Sequence, residues 1–391
     1  MVGQSHACVL MDNSAVKCWG RNWDGQLGQG DTVDRGDNAS EMGDNLLAID
    51  LGAGRTAVAI ATGLTHTCAL LDNSNVKCWG DNWAGELGQA DIVNRGDNAN
   101  EMGDNLLAID LGTGRTALAI AAGLTHNCVL LDNNSVKCWG VNQTGQLVIE
   151  DGYLPGDEPV EMRSNLPFIN VGTVHSVLSI KAGGENTCAL LDDNSMKCWG
   201  INYSGQLGLN DTQTRGGEVG EMGDNLPTIN LGTGRTIYDI SVGIRYTCAI
   251  LDNRNVKCWG DNNYGQLGLG DTLARGDEPG EMSDNLLAVN LGAGRSAKAI
   301  AAGKRHTCAL LDNNSIKCWG ENSDGQLGLG DTQDRGDNAN EMGDNLSSID
   351  LGTGLTAKAI VTGSGHTCAL LNDNSVKCWG ANYFGQLGLG N

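Results

Sequence analysis

The chain has 391 residues and an acidic balance, with 25 Lys and Arg against 47 Asp and Glu and a formal net charge of −22. Sequence-independent binding to nucleic acid relies on Lys and Arg side chains that neutralise phosphates, so this balance argues against nucleic acid as a partner. No apolar run approaches the roughly 20 residues of a membrane-spanning helix, which predicts no membrane insertion. Aromatic residues make up only 4% of the chain, so we expect many small cores rather than one large core.

The chain is built from one repeated stretch, seen for example at residues 126–147. Two cysteines ten positions apart and a following Trp-Gly pair recur every 60 residues, and the stretch occurs seven times. Self-similarity at a fixed period is typical of solenoids, propellers and repeat arrays. All fourteen cysteines belong to these pairs, which are Cys8 and Cys18, Cys68 and Cys78, Cys128 and Cys138, Cys188 and Cys198, Cys248 and Cys258, Cys308 and Cys318, and Cys368 and Cys378.

The unit of residues 101–147 shows the predicted elements in chain order. A linker leads to alternating apolar residues at 107–111, which predict a first strand. A Gly-rich turn and a second strand at 116–122 follow. The third and fourth strands, at 126–131 and 136–140, form a hairpin. Four short strands per unit, separated by turns, are the pattern of a propeller blade.

The cysteine spacing suits a disulfide across this hairpin. If Leu131 faces Ser135 across a three-residue loop, Cys128 lies directly opposite Cys138. Facing Cα atoms in a non-hydrogen-bonded antiparallel pair are about 4.5 Å apart, which a disulfide can span. The loop then needs a bulge or a left-handed residue, which Asn tolerates. Free buried thiols and a metal site are the alternatives, and disulfides would predict an oxidising compartment.

Aromatic residues occur in two settings. The Trp of each Trp-Gly pair, such as Trp139, directly follows a cysteine, and we expect it to fill the core between neighbouring sheets. A loop containing a Gly-Gln pair follows the hairpin, and we expect the aromatic residues at its variable positions to be exposed. These residues and one tyrosine of the third linker are the candidate binding surface: Trp23, Trp83, Tyr153, Tyr203, Tyr264 and Tyr383.

Four motifs recur along the chain: G-x-x-H-x-C-x-L-L, V-K-C-W-G, N-x-x-G-Q-L-G-L-G and A-I-A-A-G. The Gly-Gln-Leu-Gly segment is the most specific of them and occurs, for example, at residues 25–28, 265–268 and 325–328. Together they resemble the repeat of the RCC1 family, named after the regulator of chromosome condensation, over essentially the whole chain. The resemblance implies an all-β fold, a seven-bladed β-propeller. The paired cysteines resemble those of the family's secreted and cell-surface members.

The chain has fewer linkers than hairpins, and one linker differs from the others. Seven hairpins are present but only six linkers with a following strand, so we expect one blade with two strands instead of four. We therefore expect residues 1–391 to form a single propeller domain that is a fragment of a longer repeat protein. The third linker, 148–159 with the later Arg163 and His175, departs most from the repeat pattern. It either carries a binding specificity or varies neutrally as a surface loop.

Histidines occupy one shared position of the repeat and suggest a metal site. Asn186 and Tyr246 replace the histidine in two copies, and ligands from separate blades would lie far apart. The pattern therefore favours structural hydrogen bonds over a metal. The histidines are His6, His66, His126, His306 and His366.

Two further patterns suggest ligands. Asp331, Asp334 and Asp337, followed by Asn338, resemble a loose calcium loop, and calcium is the one cofactor that the sequence suggests. Arg-Gly-Asp occurs at residues 35–37 and in three later linkers. It fits a repeated turn with a left-handed Gly better than an integrin ligand.

No nucleophile–base pair, phosphate loop or carboxylate pair stands out from the repeat. We therefore predict a non-enzymatic, extracellular or cell-surface binding and structural scaffold that engages a protein or a glycan through propeller loops, with self-assembly also open. The acidic charge suggests a basic or cation-bridged partner. The alternatives are an intracellular guanine-nucleotide exchange factor or chromatin-type regulator, and a proteinaceous enzyme inhibitor.

Overall fold

The computed structural model describes residues 1–148, 162 and 165–391. Nearly all regular structure of these residues is β-strand, arranged as seven antiparallel sheets, one for each repeat. The chain divides into two compact units, residues 1–189 with 215–226 and 382–391, and residues 190–214 with 227–381. The single domain within a longer chain stays a prediction. Within the described residues, no helix has the length and apolar character needed to cross a membrane.

Short strands of five to seven residues build the sheets. In the first three repeats they are β1 (His6–Leu10), β2 (Val16–Gly20), β3 (Ala57–Thr62), β4 (His66–Leu71), β5 (Val76–Gly80), β6 (Ala117–Ala122), β7 (His126–Leu131) and β8 (Val136–Gly140). In the other four they are β9 (Val177–Gly183), β10 (Asn186–Leu191), β11 (Met196–Gly200), β12 (Ile237–Val242), β13 (Tyr246–Leu251), β14 (Val256–Gly260), β15 (Ala297–Ala302), β16 (His306–Leu311), β17 (Ile316–Gly320), β18 (Ala357–Thr362), β19 (His366–Leu371) and β20 (Val376–Gly380). Single-turn 3-10 helices lie in the linkers at Gly43–Asn45, Gly103–Asn105, Gly223–Asn225, Ser283–Asn285 and Gly343–Asn345.

The first strand of a sheet pairs with the hairpin through a bulge. The register of β3 on β4 shifts between Ala57 and Ala59, which leaves Val58 54% exposed. The same shift occurs where β6, β12, β15 and β18 pair with their hairpins. The first sheet contains only β1 and β2, with one additional bridge from Val2 to Ala7. It is the two-stranded blade that the sequence predicts.

The hairpins have the predicted register. Leu131 N–H donates to the carbonyl of Ser135 at 2.9 Å, and Cys128 faces Cys138 with their Cα atoms 4.1 Å apart. Asn134 takes the expected left-handed conformation, with φ at 62°. All fourteen cysteines are disulfide-bonded, which confirms the predicted disulfides. The equivalent turn residues, all with positive φ, are Ser14, Ser74, Asn194, Arg254, Asn314 and Asn374.

The prediction of four strands per unit is wrong in one element. Residues 107–111 do not form a strand but an extended segment beside β5 of the preceding repeat, where the N–H of Ile109 donates to the carbonyl of Val76 at 2.9 Å. At the end of the segment, Lys137 Nζ of β8 donates to the carbonyl of Leu111 at 3.0 Å and anchors the segment to its own repeat. Most full sheets therefore consist of three strands and one anchored segment.

Each core contains one tryptophan, as predicted. Trp79 is fully buried among Val16, Leu27, Ile49 and other apolar residues of the first two repeats. Its indole N–H donates to the carbonyl of Gln26 at 3.1 Å, so the polar atom is satisfied. The equivalent tryptophans with no exposed surface are Trp139, Trp199, Trp259 and Trp319.

Candidate binding surface

The loop after each hairpin, called here the Gly-Gln loop, is held by two buried side chains. In the first repeat Asn22 Oδ1 accepts a hydrogen bond from the N–H of Leu27 at 2.9 Å. Gln26 Oε1 accepts one from the N–H of Asp24, also at 2.9 Å. The residue between these anchors, Trp23, therefore projects into solvent and is 58% exposed. Equivalent hydrogen bonds hold the other loops.

The projecting position carries an aromatic side chain in four repeats. Tyr264, one position later in its loop, is half-buried, with the guanidinium carbon of Arg305 4.6 Å from its ring centroid. Tyr153 and most of the third linker lie outside the described residues. The binding role of these aromatic residues stays a prediction. The four projecting residues and their exposed fractions are Trp23 (58%), Trp83 (52%), Tyr203 (66%) and Tyr383 (75%).

The first Gly-Gln loop carries a small aromatic and cationic cluster. The guanidinium carbon of Arg21 lies 4.4 Å from the centroid of Trp23 and 5.8 Å from that of Phe384. The two rings meet edge to face, with their centroids 5.5 Å apart. Arg21 also forms an ion pair with Asp24 at 3.6 Å. Sequence reasoning missed Phe384, although its place directly after an exposed tyrosine was a usable signal.

The second Gly-Gln loop carries two substitutions that sequence reasoning also missed. Asp81 occupies the position of Arg21, and its Oδ2 accepts a hydrogen bond from Thr65 Oγ1 at 3.1 Å. Glu86 occupies the position of the anchoring glutamine, and its Oε2 accepts the N–H of Ala84 at 2.9 Å. Burial raises the pKa of Glu86 to about 7, with a further contribution from the charge of Asp81.

Four of the five shared histidines form hydrogen bonds from one repeat to the next, as predicted, whereas both ring nitrogens of the buried His366 lack a partner among the described residues. Nε2 of His126 lies 2.9 Å from Thr187 Oγ1. Where Tyr246 replaces the histidine, its hydroxyl donates to the carbonyl of His306 at 2.6 Å. Burial lowers the pKa of both His126 and His306 to about 3, so they are neutral near pH 7. The same bond links His6 with Thr67, His66 with Asn127, and His306 with Thr367.

The suggested calcium residues are engaged by donors of the protein itself. Asp331 Oδ2 lies 2.6 Å from Nη2 of Arg335, and Asp334 Oδ1 accepts a backbone N–H at 2.8 Å. The pKa of Asp337 is raised, first by burial and then by its hydrogen bond with Glu341. Among the described residues these three carboxylates do not gather within 4.8 Å of one another. Calcium here stays a prediction without a preformed ligand set.

The Arg-Gly-Asp segments are turns, as predicted. Gly36 has a φ of 93°, and a Cβ at this position would approach the carbonyl of Gly385 to 2.7 Å. Arg35 pairs with Asp31 at 2.6 Å, and the raised pKa of Asp37 reflects its burial and its hydrogen bond with Glu41. The side chains of Arg35 and Asp37 are therefore bound to other residues of the same turn.

Comparison with known proteins identifies the family. The Regulator of chromosome condensation (RCC1) repeat matches residues 2–26, 57–89, 118–146, 177–206, 237–266, 297–326 and 357–386. A second description of this repeat matches residues 256–310. Because the first set of matches covers more than half of the chain, the protein belongs to the RCC1 repeat family.

Similar proteins differ in role. The ultraviolet-B receptor UVR8 of Arabidopsis thaliana is 28% identical over 396 residues, which span 99% of this chain and 78% of the receptor. Yeast RCC1 (Prp20), solved bound to Kap60, has a TM-score of 0.68 at 20% identity. The match covers 99% of this chain and 81% of the yeast chain. The ectodomain of the Physcomitrella patens receptor kinase CR4 has a TM-score of 0.54 at 20% identity, with coverages of 97% and 72%. With the seven sheets, these likenesses confirm the predicted seven-bladed β-propeller.

Proposed function

We propose that the chain is a non-enzymatic scaffold that binds a partner protein through the aromatic residues of its Gly-Gln loops. The observation that carries this proposal is the exposure of large aromatic side chains on loops whose backbone is anchored by buried Asn and Gln residues. Such side chains supply contact area at a low cost in conformational entropy, which is why they dominate many protein interfaces. The likeness to yeast RCC1, solved bound to Kap60, supports a protein as the partner.

A capture experiment tests the binding role. The full chain, with a cross-linker attached, is incubated with extract from its source. We expect one partner protein to be enriched and to be lost in the triple variant Trp23→Ser, Trp83→Ser and Tyr383→Ser. The control variant replaces Leu47, Leu107 and Val33 with Ser, because these residues are similarly exposed but lie outside the loops. Equal capture by both variants would contradict the proposal, and enrichment of a glycan or of a second copy would replace the protein partner.

We propose an extracellular or cell-surface location. The disulfides support it, since such bonds persist in oxidising compartments, and so does the likeness to a receptor-kinase ectodomain. The test is the intact mass of the native protein after alkylation without reduction. The expected spectrum shows no alkyl adduct. Adducts on all fourteen cysteines would place the protein in a reducing compartment and favour the intracellular regulator instead.

A further inference from the structure

Two consecutive Gly-Gln loops differ in the residue that accompanies their exposed tryptophan. In the first loop Arg21 lies on the ring of Trp23, with the guanidinium carbon 4.4 Å from the centroid. In the second loop the equivalent positions are Asp81 and Trp83. The second loop therefore keeps the aromatic ring and has a carboxylate where the first loop has a cation.

Several other aromatic rings of the chain carry a cation of the chain's own. The guanidinium carbon of Arg254 lies 3.5 Å from the ring centroid of Tyr238, and Arg305 lies similarly over Tyr264. Within the described residues, no Lys or Arg lies over the ring of Trp83. The electron-rich face of this indole is therefore open to a cation from another molecule.

Asp81, two positions before Trp83, brings a negative charge to the second loop. Asp81 has one hydrogen bond from Thr65, and no Lys or Arg of the described chain forms an ion pair with it. Asp24 of the first loop is close enough that the charge of Asp81, second to burial, raises the pKa of its carboxyl. An exposed indole and a carboxylate without an ion pair, two positions apart in one loop, together complement a positively charged side chain.

We propose that Trp83 and Asp81 bind an arginine side chain of the partner protein, with the guanidinium plane on the indole and its N–H groups donating to the carboxylate. This inference rests on the proposed function and specifies the chemistry of the partner. Arginine fits better than lysine because its planar group both stacks on rings and donates two parallel hydrogen bonds to a carboxylate. Tyr203 does not provide an equivalent site, because Ile201 occupies the position of Asp81 in its loop.

A peptide titration tests the site directly. The probe is the acetylated and amidated peptide Gly-Gly-Arg-Gly-Gly, added to the full chain at about 0.15 M salt to screen the overall charge. Indole N–H signals of isotope-labelled tryptophan are followed by NMR. We expect the signal of Trp83 to shift, and Trp83→Ala to weaken binding about tenfold, the size of a partly desolvated cation–π contact. Leu107→Ala, an exposed change on a linker, is the control and should bind like the wild type.

Two matched peptides test whether the site recognises the positive charge and the planar shape of arginine. The citrulline peptide has the same shape without the charge, and we expect it to bind at least about tenfold more weakly. Binding as tight as that of the arginine peptide, or unchanged affinity in Trp83→Ala, would overturn the proposal. Equal affinity of the lysine peptide would overturn the assignment of arginine.

A reciprocal exchange between the loops sharpens the test. Asp81→Arg gives the second loop the cation of the first and should abolish peptide binding. Arg21→Asp frees the ring of Trp23 and should add a second binding site. Asp81→Asn is the milder variant if Asp81→Arg disturbs folding, and it should weaken binding severalfold. Retained affinity in both Asp81 variants would overturn the proposal.

The inference and the proposed function fail in different ways. If the triple aromatic variant loses the captured partner while Asp81→Arg keeps it, the arginine site is wrong and the scaffold stands. If the arginine peptide binds at Trp83 but no partner depends on the loops, the scaffold proposal is wrong and the site stands as an arginine-binding site.

Discussion

The second and seventh repeats have the same outer strand sequence, V-K-C-W-G, in different surroundings. Both hairpins place their cysteines directly opposite each other. In the second repeat Val76 and Trp79 are fully buried, whereas Val376 is 39% exposed and Trp379 is half-buried. The extended segment 107–111 lies beside β5, and no described segment bonds to β20 in this way. The hairpin is thus encoded locally, while the burial of its outer strand depends on residues about 30 positions later.

The largest expected difference between these repeats concerns their tryptophans. Trp79→Ala should cost about 3–5 kcal/mol of the free energy of unfolding, because it leaves a cavity in a closed core. Trp379→Ala should cost roughly half as much, since less area is buried there. Urea unfolding of both variants measures the difference. Equal costs would mean that the exposed outer strand does not weaken the seventh core.

The stability of the second and seventh repeats should depend differently on pH, because the residue that anchors the Gly-Gln loop is Glu86 in one and Gln386 in the other. The pKa of Glu86 is about 7 in the folded chain against an ordinary value of 4.5, so folding takes up a proton between these pH values. Stability from this group therefore falls as pH rises through this window, by about 3 kcal/mol in total. Glu86→Gln should remove that fall, and Gln386→Glu should introduce a similar one in the seventh repeat. Unfolding curves from pH 5 to 8 measure both, and parallel curves for wild type and Glu86→Gln would contradict the assignment.

The lysines of the two outer strands should differ less. Lys77 is buried and donates to the carbonyls of Leu51 and Gly103 at 2.9 and 2.8 Å. Lys77→Met leaves both carbonyls without that donor and should cost about 2 kcal/mol. Lys377 is exposed, and among the described residues it donates only to the carbonyl of Leu351, so Lys377→Met should cost less than about 1 kcal/mol. The unfolding midpoints in urea test this order, and a reversed order would contradict it.

The smallest effects are expected at the first residue of the strand. Val76→Thr buries a hydroxyl and should cost about 1–2 kcal/mol. Val376→Thr changes a partly exposed position and should stay within about 0.5 kcal/mol. Thermal unfolding measures the cost of Val76→Thr. A cost at Val376 equal to that at Val76 would show that another part of the molecule covers β20 in solution.

Much of the fold could be predicted because its rules are local. The facing of Cys128 and Cys138 follows from the ten-residue spacing and a three-residue turn, and the left-handed Asn134 follows from that turn. The burial of Trp139 follows from its constant place in the repeat. The strand predicted at 107–111 was wrong because its alternating pattern fits any extended segment, and its bond to β5, from Ile109 to Val76, joins residues far apart in sequence.

The candidate site was predicted only in outline. The projecting positions of Trp23 and Trp83 could be recognised from the loop pattern. The contact of Trp23 with Phe384 could not, because it joins the two ends of the sequence. Glu86 is visible as a departure from Gln, but its raised pKa depends on burial that the one-letter pattern does not reveal.

The disulfides have a consequence for how such a chain is made and how it can change. Each of the bonds described joins cysteines ten positions apart within one hairpin. A bond of this kind can close as soon as its own hairpin reaches an oxidising environment, without waiting for a distant partner. A duplication or deletion of one 60-residue unit adds or removes a complete pair and leaves no orphan thiol. The number of repeats can therefore change during evolution without leaving an unpaired cysteine.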